Sequence, residues 1–161
     1  MTDFRRLLGI LAQHGVEAIL VGGMAATAHG ASRLTQDIDL VYRRSLENLR
    51  RLVAALAAHA PYIRGAPPGL PFVWDERTLS NGLNFTLKTD IGDIDLLGEI
   101  TGGGGYEQLL PHSIALELFG ARHLCLDLET LIAVKRAAGR PKDFEAIAEL
   151  EAILEEHRRR S

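Results

Sequence analysis

Apolar residues recur along the chain with two periods, and the switches between them lay out its elements. Phe4, Leu7, Leu8 and Leu11 follow helical spacing, and Gly15 supplies a stop, so a helix is expected over about residues 3–14. Val16 to Val21 is a short β-rich run ending on Gly22-Gly23, after which MAATAHG reads as a small helix. Gln36 to Tyr42 alternates polar and apolar residues, and Ser45 is placed to cap a helix through ENLRRLVAALAAH. RGAPPGLP is a loop by its prolines and glycines; Gly82 to Thr89 and Asp93 to Leu97 then read as a hairpin turned at Asp90 and Gly92. The run Gly102 to Gly105 reads as a flexible loop, since it lacks the Lys-Ser/Thr that follows in a P-loop. SIALELF and RHLCL form a second expected hairpin around Gly120-Ala121. Asp127 caps a helix to about Ala138, Gly139 ends it, and Pro141 opens a last helix through FEAIAELEAILEEH, with HRRR as a solvated end. The stripe Ile147, Leu150, Ile153 and Leu154 on that helix fits either the core or a partner protein. The order of elements predicts one α/β (α+β) domain over residues 1–161: a small mixed β-sheet flanked by helices, with a helical C-terminus.

Composition narrows the classes. With 161 residues, 47% of them hydrophobic, the chain can build one sizeable core without metal or disulfide staples. Eighteen Lys+Arg against 21 Asp+Glu, a net charge of −3, excludes a globally basic nucleic-acid binder and a disordered acidic tail. Cys125 is the single cysteine and cannot form an internal disulfide. The N-terminus does not read as a leader, and no apolar run approaches the roughly 20 residues of a membrane span, so a soluble cytoplasmic protein is expected, with no membrane partner.

The chemistry concentrates in carboxylates. Asp37 and Asp39 lie two apart on an expected strand, so both side chains leave one face with Cα atoms about 6.6 Å apart. Ile38, Leu40 and Val41 around them are apolar, a costly setting for two charges unless a cation compensates. Either the pair reaches water at a strand end, or it holds a divalent ion. Asp93-Ile94-Asp95-Leu96 repeats the pattern and favours the ion: Asp95 is the third candidate ligand, while Asp93 reads as a turn residue at the hairpin mouth. Oxygen ligands of this kind suit Mg²⁺ together with substrate phosphates, and metals so held can support an in-line displacement at phosphorus. The glycines at Gly22-Gly23 would let a phosphate approach a strand–helix turn, or are simply a tight turn. Ser32, Arg33 and Thr35 precede the first carboxylate, where a guanidinium or hydroxyl can hold a triphosphate. His29 fits a packing or cap residue better than a base.

The run VGGMAATAHGASRLTQDIDLVY with the later IDLL resembles the pattern of the DNA polymerase β-like nucleotidyltransferase superfamily. The segment LETLIAVKRAAGRPKDFEAIAEL is similar to the AbiEii-type nucleotidyltransferases of abortive-infection and toxin–antitoxin systems, with the minimal nucleotidyltransferases as a related group. The resemblance implies a nucleotidyltransferase fold in which Asp37, Asp39 and Asp95 bind Mg²⁺ and carry catalysis, and Gly22 and Gly23 meet the phosphates of an NTP with Arg33 and Thr35 beside them. It further implies that Lys135, Arg140, Lys142 and Asp143 belong to the nucleotide site. KRAAGRPK is a patch of four cations without an acid, which suits a phosphate or serves a helix C-terminus. The implied function is transfer of an NMP to an RNA such as tRNA, a protein or a small-molecule hydroxyl, with a toxin or antitoxin as partner. Because no further helical domain is read up to residue 161, a small acceptor or one presented by a partner is expected. The alternative is a non-catalytic antitoxin, a partner-binding module on the same fold.

Overall fold

The computed structural model describes residues 2–32 and 35–161. Helix α1 (Phe4–Gln13) is capped by Asp3, whose side chain accepts from the Arg6 N–H, and buries Leu7, Leu8 and Leu11. It leads into strand β1 (Ala18–Val21), the short helix α2 (Gly22–Ala28) and strand β2 (Asp37–Tyr42). Helix α3 (Leu46–Leu56) starts at Ser45, whose hydroxyl accepts from the Asn48 N–H, as its sequence predicts. The proline-rich stretch holds more structure than expected: strand β3 (Tyr62–Ile63) precedes the loop, and helix α4 (Glu76–Asn81), capped by Asp75, follows it. Strands β4 (Phe85–Thr89) and β5 (Gly92–Leu97) form the first expected hairpin. The glycine run departs from a plain loop, since strands β6 (Glu99–Ile100) and β7 (Gly104–Gly105) pair as a small ribbon. Helix α5 (Tyr106–Leu109), the hairpin of β8 (Ser113–Leu118) and β9 (Ala121–Leu126), helix α6 (Leu128–Ala138) and helix α7 (Phe144–Arg160) complete the chain.

Seven strands make one mixed sheet in the order β3-β4-β5-β2-β1-β9-β8. The central strands decide its geometry: β2 runs antiparallel to β1 but parallel to β5, and β1 is parallel to β9. Period-two alternation sorts β2 onto two faces. Ile38 and Leu40 are buried on one, and Asp37 and Asp39 stand half-buried on the other. Leu40 lines a small cavity with Leu8 and Leu11 of α1, so α1 covers the apolar face, with α3 packed against α1. On the aspartate face α2 packs on β1 and β2, and α6 packs on α2 and α7.

A buried amide ties the apolar side together. Asn48 is 1% exposed; its Oδ1 accepts from the Glu17 N–H at 2.7 Å, and its Nδ2 donates to Glu17 O at 2.9 Å and Arg43 O at 2.7 Å. The C-terminal stripe resolves mostly as core: Ile147 and Leu150 are buried, and Ile153 and Leu154 pack partly against the same cluster. Helix α7 continues to Arg160 with its terminal arginines exposed; Arg158 pairs with Glu129 of α6, and Arg159 and Arg160 pair with glutamates one turn back. No helix among the described residues is long and apolar enough to cross a membrane.

Candidate active site

Parallel pairing of β2 and β5 sets two aspartate pairs side by side, Asp37 opposite Asp93 and Asp39 opposite Asp95. Neighbouring strands lie about 4.8 Å apart, so in-register carboxylates on one face must meet. Ligand oxygens of Asp37, Asp39 and Asp95 lie within 4.8 Å of one another, a group that could hold a metal ion. Asp93 corrects the expected turn assignment: it is a strand residue on the carboxylate face, and its N–H donates to the Thr2 hydroxyl at 3.0 Å.

Asp39 is the strained member. Its carboxyl is pushed from 3.8 up to about 7, first by burial, then by the charges of Asp37 and Asp95 and a hydrogen bond with Asp95, against a smaller opposing pull from Arg64. Its Oδ1 is buried without a hydrogen-bond partner among the described residues. An orphaned carboxylate oxygen on a residue grouped with two further carboxylates belongs to the kind of donor set that a hard divalent cation would satisfy.

The glycine pair is explained first by this carboxylate. Gly22 has φ +67°, and a Cβ there would stand 2.0 Å from Asp39 Oδ2, so a side chain is barred both by conformation and by contact. A Cβ on Gly23 would stand 2.8 Å from Thr35 Oγ1, and that hydroxyl in turn lies 3.3 Å from Asp37 Oδ1. Gly22 and Gly23 thus seat Asp39 and Thr35, a role the sequence reading, which assigned them to phosphate, did not include. The start of α2 carries no side-chain cap. Arg33 lies outside the described residues. Ser32 points elsewhere, since its hydroxyl donates to Glu149 at 2.7 Å, and His29 Nε2 donates to Leu126 O at 2.7 Å as a packing residue.

A cleft of about 510 Å³ opens beside the carboxylates, with Gly22, Asp39 and Asp95 on one wall and Lys135 and Arg140 on the other. Residues more than a hundred positions apart in the chain therefore face one space. Lys135 is half-buried on α6 and pairs with no carboxylate among the described residues. Arg140 donates through Nε to Asp143 Oδ2 at 2.7 Å, and Asp143, 6% exposed, is its anchor and stands apart from the metal-site group. Lys142 is exposed on the turn between α6 and α7 and is not part of the cleft lining.

Arg64 is the residue that sequence reasoning missed. It follows β3, and its Nη2 donates to Asp95 Oδ1 at 2.6 Å and to Leu87 O at 2.8 Å. Its Nη1 lies 3.7 Å from Asp37 Oδ2, and its Nε lies 3.6 Å from Asp93 Oδ2. The only hint in the chain is a lone arginine opening a loop of small and ring residues, and nothing local in that stretch reports the pairing of β3 with β4 that delivers it.

No family model matches the chain. Among curated proteins it is similar to a 5-methylthioadenosine/S-adenosylhomocysteine deaminase of Carboxydothermus hydrogenoformans, 27% identical over 129 residues. The similarity takes in 77% of this chain and 29% of that enzyme, so the chain spans less than a third of the relative it matches.

Proposed function

We propose that the chain is a Mg²⁺-dependent nucleotidyltransferase of the DNA polymerase β-like superfamily, on the nucleotidyltransferase fold and closest in pattern to its AbiEii-type and minimal members. The observation that carries the reading is the register Asp37↔Asp93 and Asp39↔Asp95, which groups three carboxylates on one face at the edge of a cleft whose far wall is cationic. Bound there, Mg²⁺ would supply charge neutralisation at the phosphates and lower the barrier to displacement at phosphorus.

In this reading the chain's own residues divide the work. Asp37, Asp39 and Asp95 hold the cation, and the orphaned Asp39 Oδ1 gains the partner it lacks. Lys135 and Arg140 meet the triphosphate across the cleft, with Gly22 leaving room beside Asp39. As the acceptor hydroxyl oxygen bonds to the α-phosphorus, its proton passes to Asp95 and pyrophosphate leaves. The acceptor is an RNA, protein or small-molecule hydroxyl, in a toxin–antitoxin or abortive-infection setting.

The deaminase similarity supports no competing chemistry at this cluster. The similarity takes in only 29% of that enzyme, too little to carry its chemistry to this chain. The test is transfer of α-³²P from each NTP, with Mg²⁺, into a bacterial lysate separated into RNA, protein and small molecules. Label that appears with the wild type and vanishes with Asp39→Ala establishes the activity and names the acceptor class. Equal labelling by that variant, or none by a folded wild type, rejects it.

A further inference from the structure

Arg64 reaches the carboxylate cluster from the edge of the sheet. Its backbone N–H donates to Thr86 O at 3.0 Å, so the main chain is pinned to β4 and the side chain alone extends to β5 and β2. Within 3.7 Å its guanidinium faces Asp37, Asp93 and Asp95, three acids from two strands. Among the described residues it is the cation paired with these acids.

Its grip is nevertheless incomplete. An arginine that uses its planar fork fully bonds one carboxylate twice, as Arg140 does with Asp143 at 2.7 and 3.4 Å. Arg64 makes one short carboxylate bond, to Asp95, and its Nε is buried without a hydrogen-bond partner among the described residues. The contacts to Asp37 and Asp93, at 3.7 and 3.6 Å, are too long for hydrogen bonds. Both of its side-chain hydrogen bonds, to Asp95 Oδ1 and to Leu87 O, run through the one nitrogen Nη2, so rotation about its own bonds that gives up those two contacts releases it.

We propose that Arg64 is a displaceable counter-cation: it occupies Asp95 until a divalent cation takes that carboxylate and expels the guanidinium, so Arg64 sets the affinity of the metal centre. The proposal rests on reading the cluster as a metal site. The exclusion is electrostatic, since a divalent ion about 2.1 Å from a carboxylate oxygen repels a guanidinium held on the same group.

The test is Mn²⁺ binding to the full chain stripped of metal, followed by calorimetry and by paramagnetic resonance of the free ion. Arg64→Gln is expected to bind Mn²⁺ about tenfold more tightly than wild type, the weight of one charge-assisted hydrogen bond, with Arg64→Lys between them. Asp95→Asn weakens binding. The rise in melting temperature on adding Mn²⁺ is larger in Arg64→Gln, which has lost its own cation. Should metal-free Arg64→Gln fail to fold, Arg64→Lys, which keeps the charge but not the fork, carries the comparison. Mn²⁺ binding by wild type that is unchanged or weaker in the Arg64 variants overturns the displacement and leaves the metal centre standing. No binding by wild type or any variant overturns both.

Discussion

Asp39 and Asp95 stand directly opposite each other in the parallel register of β2 and β5, and together with Asp37 they bring carboxylate oxygens within 4.8 Å of one another. The backbone ladder, and not the side chains, enforces this proximity: relieving it would mean slipping β5 by one residue against β2, which turns Ile94 and Leu96 out of the core. The fold therefore gathers repulsion at one place, where a bound cation would relieve it.

That repulsion makes stability depend on pH in a definite sense. Asp39 titrates near 3.8 unfolded and about 7 folded, so between those values the folded chain holds a proton that the unfolded chain has released. Stability contributed by this group therefore falls as pH rises from about 4 to 7 and stays lost above. In EDTA, urea unfolding of Asp39→Asn should gain on wild type between pH 4 and pH 8 by on the order of 2 kcal/mol, because water in the open cleft screens part of the repulsion. A pH-independent difference between the two proteins contradicts the assignment.

Divalent-cation binding should show the same group from the other side. Carboxylates bind metal deprotonated, so Mn²⁺ affinity of wild type is expected to rise with pH and level off above about 7, with release of a proton on binding. Calorimetry in buffers of different ionisation enthalpy counts that proton, and Asp39→Asn should abolish both the proton and the binding.

Gly22 tests the packing of the site separately from its charge. Gly22→Ala places a methyl 2.0 Å from Asp39 Oδ2 on a backbone with φ +67°, so either Asp39 turns away or α2 shifts. The expected cost is about 1–3 kcal/mol of stability, together with loss of Mn²⁺ binding, whereas Gly30→Ala, at φ +108° with open space around it, should cost stability alone.

How much of this was legible in the chain follows from what each signal encodes. The D-h-D-h repeats announced two half-buried strands and their carboxylates, because alternation is a local property of a strand. Which strand neighbours which is not local: nothing in residues 93–95 reports that β5 pairs parallel with β2, and reading Asp93 as a turn residue followed from weighing Gly92 without that partner. Arg64 was invisible for the same reason, as its role depends on β3 pairing with β4 and on a reach across the sheet. Lys135 and Arg140 were reached through family resemblance, and the cleft that they share with Asp39 and Asp95 is a tertiary fact. Asn48 stands in the first turn of α3, and its three side-chain bonds go to Glu17 and Arg43, outside its own helix, which no local pattern reports.

Asn48 separates the scaffold from the site. Asn48→Ala takes the partner from the Glu17 N–H and a donor from the Arg43 carbonyl in a region with little water, while the Glu17 carbonyl still accepts from the Arg43 N–H at 3.1 Å; an unsatisfied buried group costs about 1–3 kcal/mol. Loss of about 3 kcal/mol in chemical denaturation is expected, with Mn²⁺ affinity unchanged in the folded protein, since β2 keeps its register through β1 and β5. A loss of metal binding equal to that of Asp39→Asn would mean that the corner between α1 and α3 positions the carboxylates as well.

The cationic wall makes the sharpest distinction between a nucleotide cleft and a bare metal site. Lys135 faces Asp39 and Asp95 across about 510 Å³ and pairs with no acid among the described residues, whereas Arg140 is already anchored by Asp143. Lys135→Ala should leave Mn²⁺ binding intact yet weaken NTP binding about tenfold or more, as expected for loss of a charge-assisted contact to phosphate. Asp143→Asn should do less, loosening Arg140 without removing its charge, and Lys142→Ala, outside the cleft lining, should leave NTP affinity unchanged. Fluorescent-NTP titration across the three variants ranks them. If Lys142→Ala proves as damaging as Lys135→Ala, the phosphates run along the α6–α7 turn and not into the cleft.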